Sequence, residues 1–174
     1  MYTIISGTNR KNSVSAKISK LYKAILKEHG IDAQIIDLTE LPKDFLFSAL
    51  YENVGRHEEF NALKDRVNES EKFVFVVAEY NGSFPGALKA FIDGLDYQKS
   101  LKDKKCALVG ISAGDQGGGL ALSHLTDILN YLGMHVLALK PRLGRIGSAL
   151  TENKITNPLY KDLLLTQAEQ LIEF

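Results

Sequence analysis

A polar segment near the start of the sequence has residue types that could bind a phosphate group. It begins at Gly7, leads into a helical pattern, and includes the hydroxyls of Thr8, Ser13 and Ser15. Arg10 adds a guanidinium, and the first N–H groups of the helix add donors whose charge-assisted hydrogen bonds contribute roughly 1.5–3 kcal/mol each. With one glycine, the segment is neither G-x-G-x-x-G nor a P-loop. It predicts either a cradle for a terminal phosphate or an ordinary capped helix start.

A second segment follows the apolar run at residues 73–78 and could hold a flat ring. Its first four residues are Glu79, Tyr80, Asn81 and Gly82. An aromatic face beside an amide allows a planar heteroaromatic ligand to stack and to be hydrogen-bonded from its edge. The alternative is a tight Asn-Gly turn before a helix that begins near Pro85.

A third segment is rich in glycine and follows another apolar run. It begins with Ser112, Ala113 and Gly114, and four of the six residues from 114 to 119 are glycine, Gly117 among them. Because glycine loses the most conformational freedom on folding, this density favours a close approach of the backbone to a ligand. The alternative is a flexible connector.

Strand-like and helical patterns alternate along the whole chain and must position these segments. The predicted strands are residues 2–6, 31–38, 73–78, 106–111 and 136–139. Helical patterns lie at residues 14–29 and 57–70 and after Pro85. Two more include Leu125 and Leu164 on their apolar faces. Runs that are apolar on both faces, such as residues 73–78, are typical of a parallel sheet covered by helices on both sides.

This alternation predicts a flavodoxin-like α/β fold in three layers. We expect a five-stranded parallel sheet in the order 2-1-3-4-5 with helices on both faces, in a single domain that covers residues 1–174. In such sheets ligands bind beyond the carboxyl ends of the strands, where the strand order reverses. The three segments follow strands one, three and four, so together they predict one pocket for a phosphate attached to a flat ring.

Composition and charge exclude other classes of protein. The 174 residues hold 21 Lys+Arg and 21 Asp+Glu, so no excess positive charge favours nucleic acid. The longest apolar run is far shorter than the roughly 20 residues that span a bilayer, and no signal peptide is recognised, so we expect a cytoplasmic protein. Cys106 is the single cysteine and the four histidines lack ligand spacing, so we expect no disulfide and no metal site.

Two of the segments also match the motifs of a known family. The pattern Gly-Ser-x-Arg-x-x-Ser-x-Asn is matched at Gly7, Thr8, Arg10 and Ser13. The pattern Pro-Glu-Tyr-Asn-x-Ser-x-Pro-Gly-x-Leu-Lys is matched at Glu79, Tyr80, Asn81, Ser83, Pro85, Gly86, Leu88 and Lys89. The chain therefore resembles the NAD(P)H-dependent FMN reductases of flavodoxin-like fold, which include quinone, azo and chromate reductases. It departs from their pattern at Ser15, Ala78, Ala90 and Gly94, where that family has Asn, Pro, Asn and Trp.

The resemblance implies an FMN-containing oxidoreductase. Electrons would pass from NADPH or NADH to a quinone, an azo compound, a metal oxyanion or free flavin. The residues expected to bind the cofactor are Gly7, Thr8, Arg10, Ser13, Val14, Ser15, Glu79, Tyr80, Asn81, Gly82, Ser112, Ala113, Gly114 and Gly117. Because the chemistry belongs to the cofactor, no protein acid or base is assigned.

The alternative function is that of a flavodoxin-type electron carrier that docks on redox partners. Members of that family are strongly acidic and usually enclose the flavin ring with Trp or Tyr, whereas this chain is neutral and has no Trp. A phosphoacceptor domain would need an Asp at a strand end, and neither Ser6 nor Ala78 supplies one. The sequence therefore favours the reductase.

Two long stretches, residues 42–56 and 141–158, have no clear strand or helix pattern. Loops of that length are more often functional or interfacial than idle. The first stretch holds a run of large apolar residues, Phe45, Leu46, Phe47, Leu50 and Tyr51. They predict either a small local core or a subunit interface near the pocket, and we expect a homodimer or homotetramer.

Overall fold

The computed structural model describes residues 1–152 and 154–174. Its main sheet consists of β1 (Tyr2–Ser6), β2 (Ala33–Asp37), β3 (Lys72–Ala78), β4 (Lys105–Ile111), β5 (His135–Val136) and β6 (Arg142–Leu143). Every pair of neighbouring strands in this sheet is parallel, in the order β2-β1-β3-β4-β5, and β6 also pairs with β4. The predicted strand order is therefore confirmed.

The predicted fifth strand at residues 136–139 is wrong in its bounds, because two short strands share that edge of the sheet. β5 pairs with the start of β4 and β6 with its end. Between them the chain leaves the ladder, since the buried side-chain amide of Gln167 donates hydrogen bonds to the carbonyls of Leu139 (2.8 Å) and Leu108 (2.9 Å). A side chain from the far end of the sequence thus replaces a partner strand.

Helices cover both faces of the sheet. They are α1 (Val14–Glu28), α2 (Phe45–Ser48), α3 (Glu58–Asn68), α4 (Gly86–Asp93), α5 (Gly119–Tyr131), α6 (Ile146–Ala149) and α7 (Pro158–Glu173). Val74 and Val76 of β3 pack in a core with α1 and α7, whereas Phe73 and Phe75 pack in a second core with α3, α4 and α5. This alternation produces three layers, as predicted. None of the helices in the described part of the chain is long and apolar enough to cross a membrane.

The two stretches without a sequence pattern contain short elements of structure. Residues 42–56 include α2 and a 3₁₀ turn at Tyr51–Asn53, and β7 (Leu150–Thr151) pairs antiparallel with β8 (Lys154–Ile155) in the second stretch. Phe45 is buried and stacks on Phe60 of α3 with 5.1 Å between ring centroids. Part of the apolar run is therefore a local core, but Phe47 remains 85% exposed and Tyr51 is also exposed.

Candidate functional site

A cavity of about 510 Å³ lies at the carboxyl ends of β1, β3 and β4. The loops around it start in register with the sheet, because Gly7 N donates to Val76 O (2.9 Å) and Glu79 N donates to Ile111 O (2.9 Å). The predicted site residues that line the cavity are Thr8, Arg10, Ser13, Val14, Ser15, Glu79, Tyr80, Ser112 and Ala113. All three segments singled out in the sequence therefore meet in one place.

Six residues that the motifs did not include also line the cavity. These are Lys11, Asn12, Ala78, Ile111, Ile146 and Gly147. The first four lie within or directly before the predicted loops, so strand ends and loop interiors could have identified them. Ile146 and Gly147 belong to α6, in the stretch that had no sequence pattern. The predicted residues outside the lining are Gly7, Asn81, Gly82, Gly114 and Gly117.

The segment between β1 and α1 directs hydroxyl groups toward the cavity. Ser13 is the N-cap of α1, where its Oγ accepts a hydrogen bond from Ala16 N (3.1 Å). Thr8 Oγ1 accepts from Arg10 N (3.3 Å) and lies 2.9 Å from the Tyr80 hydroxyl oxygen. The capped helix start of the alternative interpretation is therefore present, but it accounts for Ser13 alone among the three hydroxyl residues of this segment.

The Ser15 hydroxyl is the most informative group in the cavity. It is fully buried and has no hydrogen-bond partner within residues 1–152 and 154–174. A buried hydroxyl without a partner costs roughly 1–3 kcal/mol, so such groups usually contact water or a ligand. The hydroxyls of Ser6 and Ser19 are also buried without a partner, but these residues do not line the cavity. Ser15 is thus a donor that a bound anion would satisfy.

A two-residue turn holds Tyr80 in position. Tyr80 and Ser83 exchange two backbone hydrogen bonds of 2.8 and 3.1 Å. Between them Asn81 (φ 52°) and Gly82 (φ 75°) both have positive φ, which defines a type I′ turn and explains the Asn-Gly pair. The tight-turn alternative therefore accounts for these two residues. It leaves Tyr80 free to line the cavity and bond to Thr8.

The glycine-rich loop is packed against the protein's own backbone and is not a flexible connector. Gly117 N donates to Ser112 Oγ (2.9 Å), and the Ser112 hydroxyl donates to Gly114 O (2.7 Å). A Cβ on Gly110 would lie 2.3 Å from Gly117 O, and a Cβ on Gly117 would lie 2.5 Å from Arg142 C. Gly110 in β4 and Gly117 in the loop therefore allow β4, the loop and β6 to approach each other.

Charge at the cavity favours an anion near the start of α1. Arg10 and Lys11 line that end, and Glu79 lies on a different loop. Within the described residues neither cation forms a salt bridge. Cys106 lies outside the lining, and burial raises the pKa of its thiol to about 12, so it is not a thiolate nucleophile.

A second cavity of about 510 Å³ differs in chemistry. It lies between α4 and α5, and its lining includes Ile92, Leu101, Tyr97 and Tyr131 together with carboxylates such as Asp127. Its charged residues are three aspartates and one lysine, Lys89, and among the described residues it has none of the serine and threonine hydroxyls that line the first cavity. The cavity at the strand ends is therefore the candidate site for a phosphorylated ligand.

Comparisons with known proteins cover most of the chain. The model of a family described as NADPH-dependent FMN reductase matches residues 2–140. An FMN-dependent NADPH-azoreductase of Staphylococcus saprophyticus is 32% identical over 134 residues, which are 74% of this chain and 69% of that protein. An NAD(P)H:quinone oxidoreductase of Solanum tuberosum is 28% identical over 135 residues, 76% of this chain and 69% of that protein.

Solved structures show the same fold. The flavoenzyme NAD(P)H:(acceptor) oxidoreductase FerB from Paracoccus denitrificans has a TM-score of 0.79 at 22% identity, covering 99% of this chain and 94% of its own. The two-electron reduced Megasphaera elsdenii flavodoxin has a TM-score of 0.61 at 16% identity, and the match covers 97% of this chain and 99% of the flavodoxin. The fold is therefore flavodoxin-like. The family match ends before Ile146 and Gly147.

Proposed function

Because this chain belongs to the NADPH-dependent FMN reductase family and is an oxidoreductase, we propose that residues 1–174 form a single cytoplasmic domain whose cavity holds FMN. It would pass electrons from NADPH or NADH to quinones, azo compounds, metal oxyanions or free flavin. The observation that carries this proposal is the partnerless buried hydroxyl of Ser15. Family membership favours this function over that of a flavodoxin-type carrier.

The donors at the start of α1 fit the FMN phosphate. Thr8, Ser13 and Ser15 would contribute hydroxyls, and Arg10 would contribute charge from the exposed side. An anion at a helix N-terminus also gains from the helix dipole, by roughly 0.3–1 kcal/mol. Ser15 replaces the Asn of the family motif. Its hydroxyl therefore still supplies a hydrogen-bond donor at the position where the family has a side-chain amide.

The two other loops would border the isoalloxazine ring. Tyr80 supplies an aromatic side chain beside Glu79, and Ser112 and Ala113 lie on the neighbouring loop. When bound, FMN supplies the redox chemistry by accepting a hydride from the nicotinamide and passing electrons to the acceptor. The protein's part is to orient the ring and limit access by water, so no side chain is assigned as an acid or base.

Calorimetric titration with FMN, riboflavin and FAD tests the proposal. We expect FMN to bind more tightly than riboflavin, which lacks the phosphate, and more tightly than FAD, because the proposed role of the loop hydroxyls is to enclose a terminal phosphate. Equal affinity for FMN and FAD would contradict the assignment of the loop. Oxidation of NADPH with a small quinone and no partner protein then distinguishes a reductase from an electron carrier.

Ser15→Ala should weaken FMN binding roughly tenfold, because it removes one hydrogen bond to the phosphate. The FMN-free variant should be as stable as the wild type or slightly more stable, since the substitution also removes a partnerless buried hydroxyl. Calorimetry with FMN and thermal unfolding without it measure the two effects.

Ser19→Ala is the matched control, since Ser19 lies one turn along α1 with a hydroxyl that is equally buried and without a partner. It should leave FMN affinity unchanged. If both variants lose the same affinity, the effect comes from helix packing, and Ser15 does not bind the phosphate.

The homodimer or homotetramer is likewise a proposal, supported by apolar side chains on both sides of α4. Phe47 and Tyr51 are exposed beyond one side, and Tyr97 and Tyr131 are exposed around the cavity on the other side. Apolar patches on neighbouring elements are typical of subunit interfaces. We propose that a second copy of the chain covers this surface.

Sedimentation velocity at micromolar concentration should show at least twice the 19.3 kDa of one chain, and Phe47→Lys should shift the protein to monomer. Leu159→Lys is the control, because Leu159 is 61% exposed on α7, on the other face of the sheet. A wild-type protein that sediments only as monomer rejects the proposal.

A further inference from the structure

A cleft of about 460 Å³ lies beside the candidate site, between the first turn of α4 and the chain that follows β2. Buried Leu38 and Phe45 form its apolar floor, and the exposed side chains of Lys11 and Lys43 stand at its edge. We refer to it as the lysine cleft. An apolar floor with cations at the edge fits a ligand that combines a flat base with phosphate groups.

The lysine cleft adjoins the candidate flavin cavity. Lys11 lines both spaces, and Asn9, two residues earlier in the same loop, lines the cleft. A dinucleotide with one ring at the flavin could therefore extend past Lys11 and place its other half in the cleft. Lys43 lines the same cleft from the segment after β2.

Among the residues that the structure describes, the lining of the cleft contains two lysines and no carboxylate, although the chain as a whole has no net charge. Two acidic residues close in sequence to the lining contact side chains outside it. Glu40 pairs with Arg66 at 2.9 Å, and Asp44 Oδ1 lies 3.7 Å from His57 Nε2. Lys11 and Lys43 are therefore the charged side chains that the described residues place in the lining, and ammonium groups attract phosphate.

Asp37 bears on the choice between the two nicotinamide donors. In dinucleotide-binding folds an acidic residue near a strand end binds the ribose 2′-hydroxyl of NADH, whereas a cation accommodates the 2′-phosphate of NADPH. Asp37 ends β2, but its carboxylate accepts hydrogen bonds from Thr39 N (3.0 Å) and Thr39 Oγ1 (2.9 Å) and caps the turn at Leu38–Glu40. Lys43 is the charged group left facing the cleft on this segment.

Building on the proposed function, we propose that the lysine cleft binds the nucleotide half of NADPH and that Lys43 selects it over NADH by pairing with the 2′-phosphate. Lys11 pairs with the pyrophosphate, which both donors share. Lys43 is thus the specificity residue, and its removal acts on the 2′-phosphate alone. The base rests on the apolar floor formed by Leu38 and Phe45.

Calorimetric titration of the full chain saturated with FMN tests this assignment without turnover. The probes are 2′,5′-ADP, which carries the 2′-phosphate, and 5′-AMP, which does not. Lys43→Gln should weaken 2′,5′-ADP binding roughly tenfold and change 5′-AMP binding by less than about twofold. Lys20→Gln removes the same charge from an exposed position on α1 outside the cleft and should change neither. The ratio of kcat/KM for NADPH to that for NADH should fall about tenfold in Lys43→Gln alone.

If Lys43→Gln lost the same affinity for 2′,5′-ADP and for 5′-AMP, Lys43 would not pair with the 2′-phosphate. A general charge effect weakens both nucleotides alike, and this result would overturn the role of Lys43. Identical behaviour of Lys43→Gln and Lys20→Gln, or no binding of 2′,5′-ADP to the wild type, would overturn the cleft as the donor site. Failure of the proposed function has a different signature, since the wild-type chain would then bind no FMN. The same nucleotide titrations on the full chain without FMN would still report on the cleft.

Discussion

An Arg10→Ala variant should bind FMN up to about a hundredfold more weakly than the wild type. The Arg10 side chain lines the candidate cavity and forms no salt bridge within the described residues, so its charge is available to a phosphate. A charge-assisted contact of up to about 3 kcal/mol corresponds to this loss. Thermal unfolding without FMN should be unchanged, because an exposed loop cation contributes little to the core. Calorimetry and thermal unfolding measure the two quantities separately.

Lys17→Ala is the control for Arg10→Ala, because Lys17 is an exposed cation on α1 that does not line the cavity. It removes the same charge from nearby and should reduce FMN affinity only slightly. If the two variants are equally weak, the attraction is long-range and Arg10 makes no direct contact with the phosphate. If Arg10→Ala binds like the wild type, the phosphate lies elsewhere.

Gly110→Ala should lower the free energy of unfolding by about 3 kcal/mol, which corresponds to a fall in Tm of roughly 6–12 °C. The new Cβ would stand 2.3 Å from Gly117 O and 2.9 Å from Leu122 Cδ1. Backbone cannot move away as a flexible side chain can, so β4 and the glycine-rich loop must separate. FMN affinity should fall with stability, since Ser112 and Ala113 move with the loop.

Gly114→Ala is the matched control in the same loop. A Cβ at Gly114 meets no heavy atom within 4 Å, and its φ is not in the left-handed region. Its thermal unfolding should therefore match that of the wild type. A Gly110→Ala variant as stable as Gly114→Ala would mean that the contact between β4 and the loop is looser than described.

Sequence patterns predict the sheet order, and the loops that line the candidate cavity, for a physical reason. Residues 73–78 are apolar on both faces, and such a strand is stable only between two layers of helices. Once the order is known, the strand ends bring together loops that are distant in the chain, which is why Thr8, Tyr80 and Ser112 line one cavity.

The parts that sequence patterns missed depend on single long-range contacts. The break between β5 and β6 depends on the amide of Gln167, which has no periodic signal. α6 is four residues long, too short for a helical period, so Ile146 and Gly147 were not recognised. Ser15 and Ser19 look alike in sequence, and only the fold shows which one lines the cavity.

The wall formed by Ile146 and Gly147 has an evolutionary consequence. It is attached to the glycine-rich loop by hydrogen bonds from Arg145 N to Gly114 O (2.8 Å) and from Ile146 N to Ser112 O (3.2 Å). It comes from outside the stretch matched by the family, so mutations there can reshape the cavity without altering the segment between β1 and α1 that is proposed to bind the phosphate. Gly147 has open space where a side chain would stand. Successive substitutions at Gly147 can therefore change which electron acceptors the cavity admits, while the proposed flavin site stays unchanged.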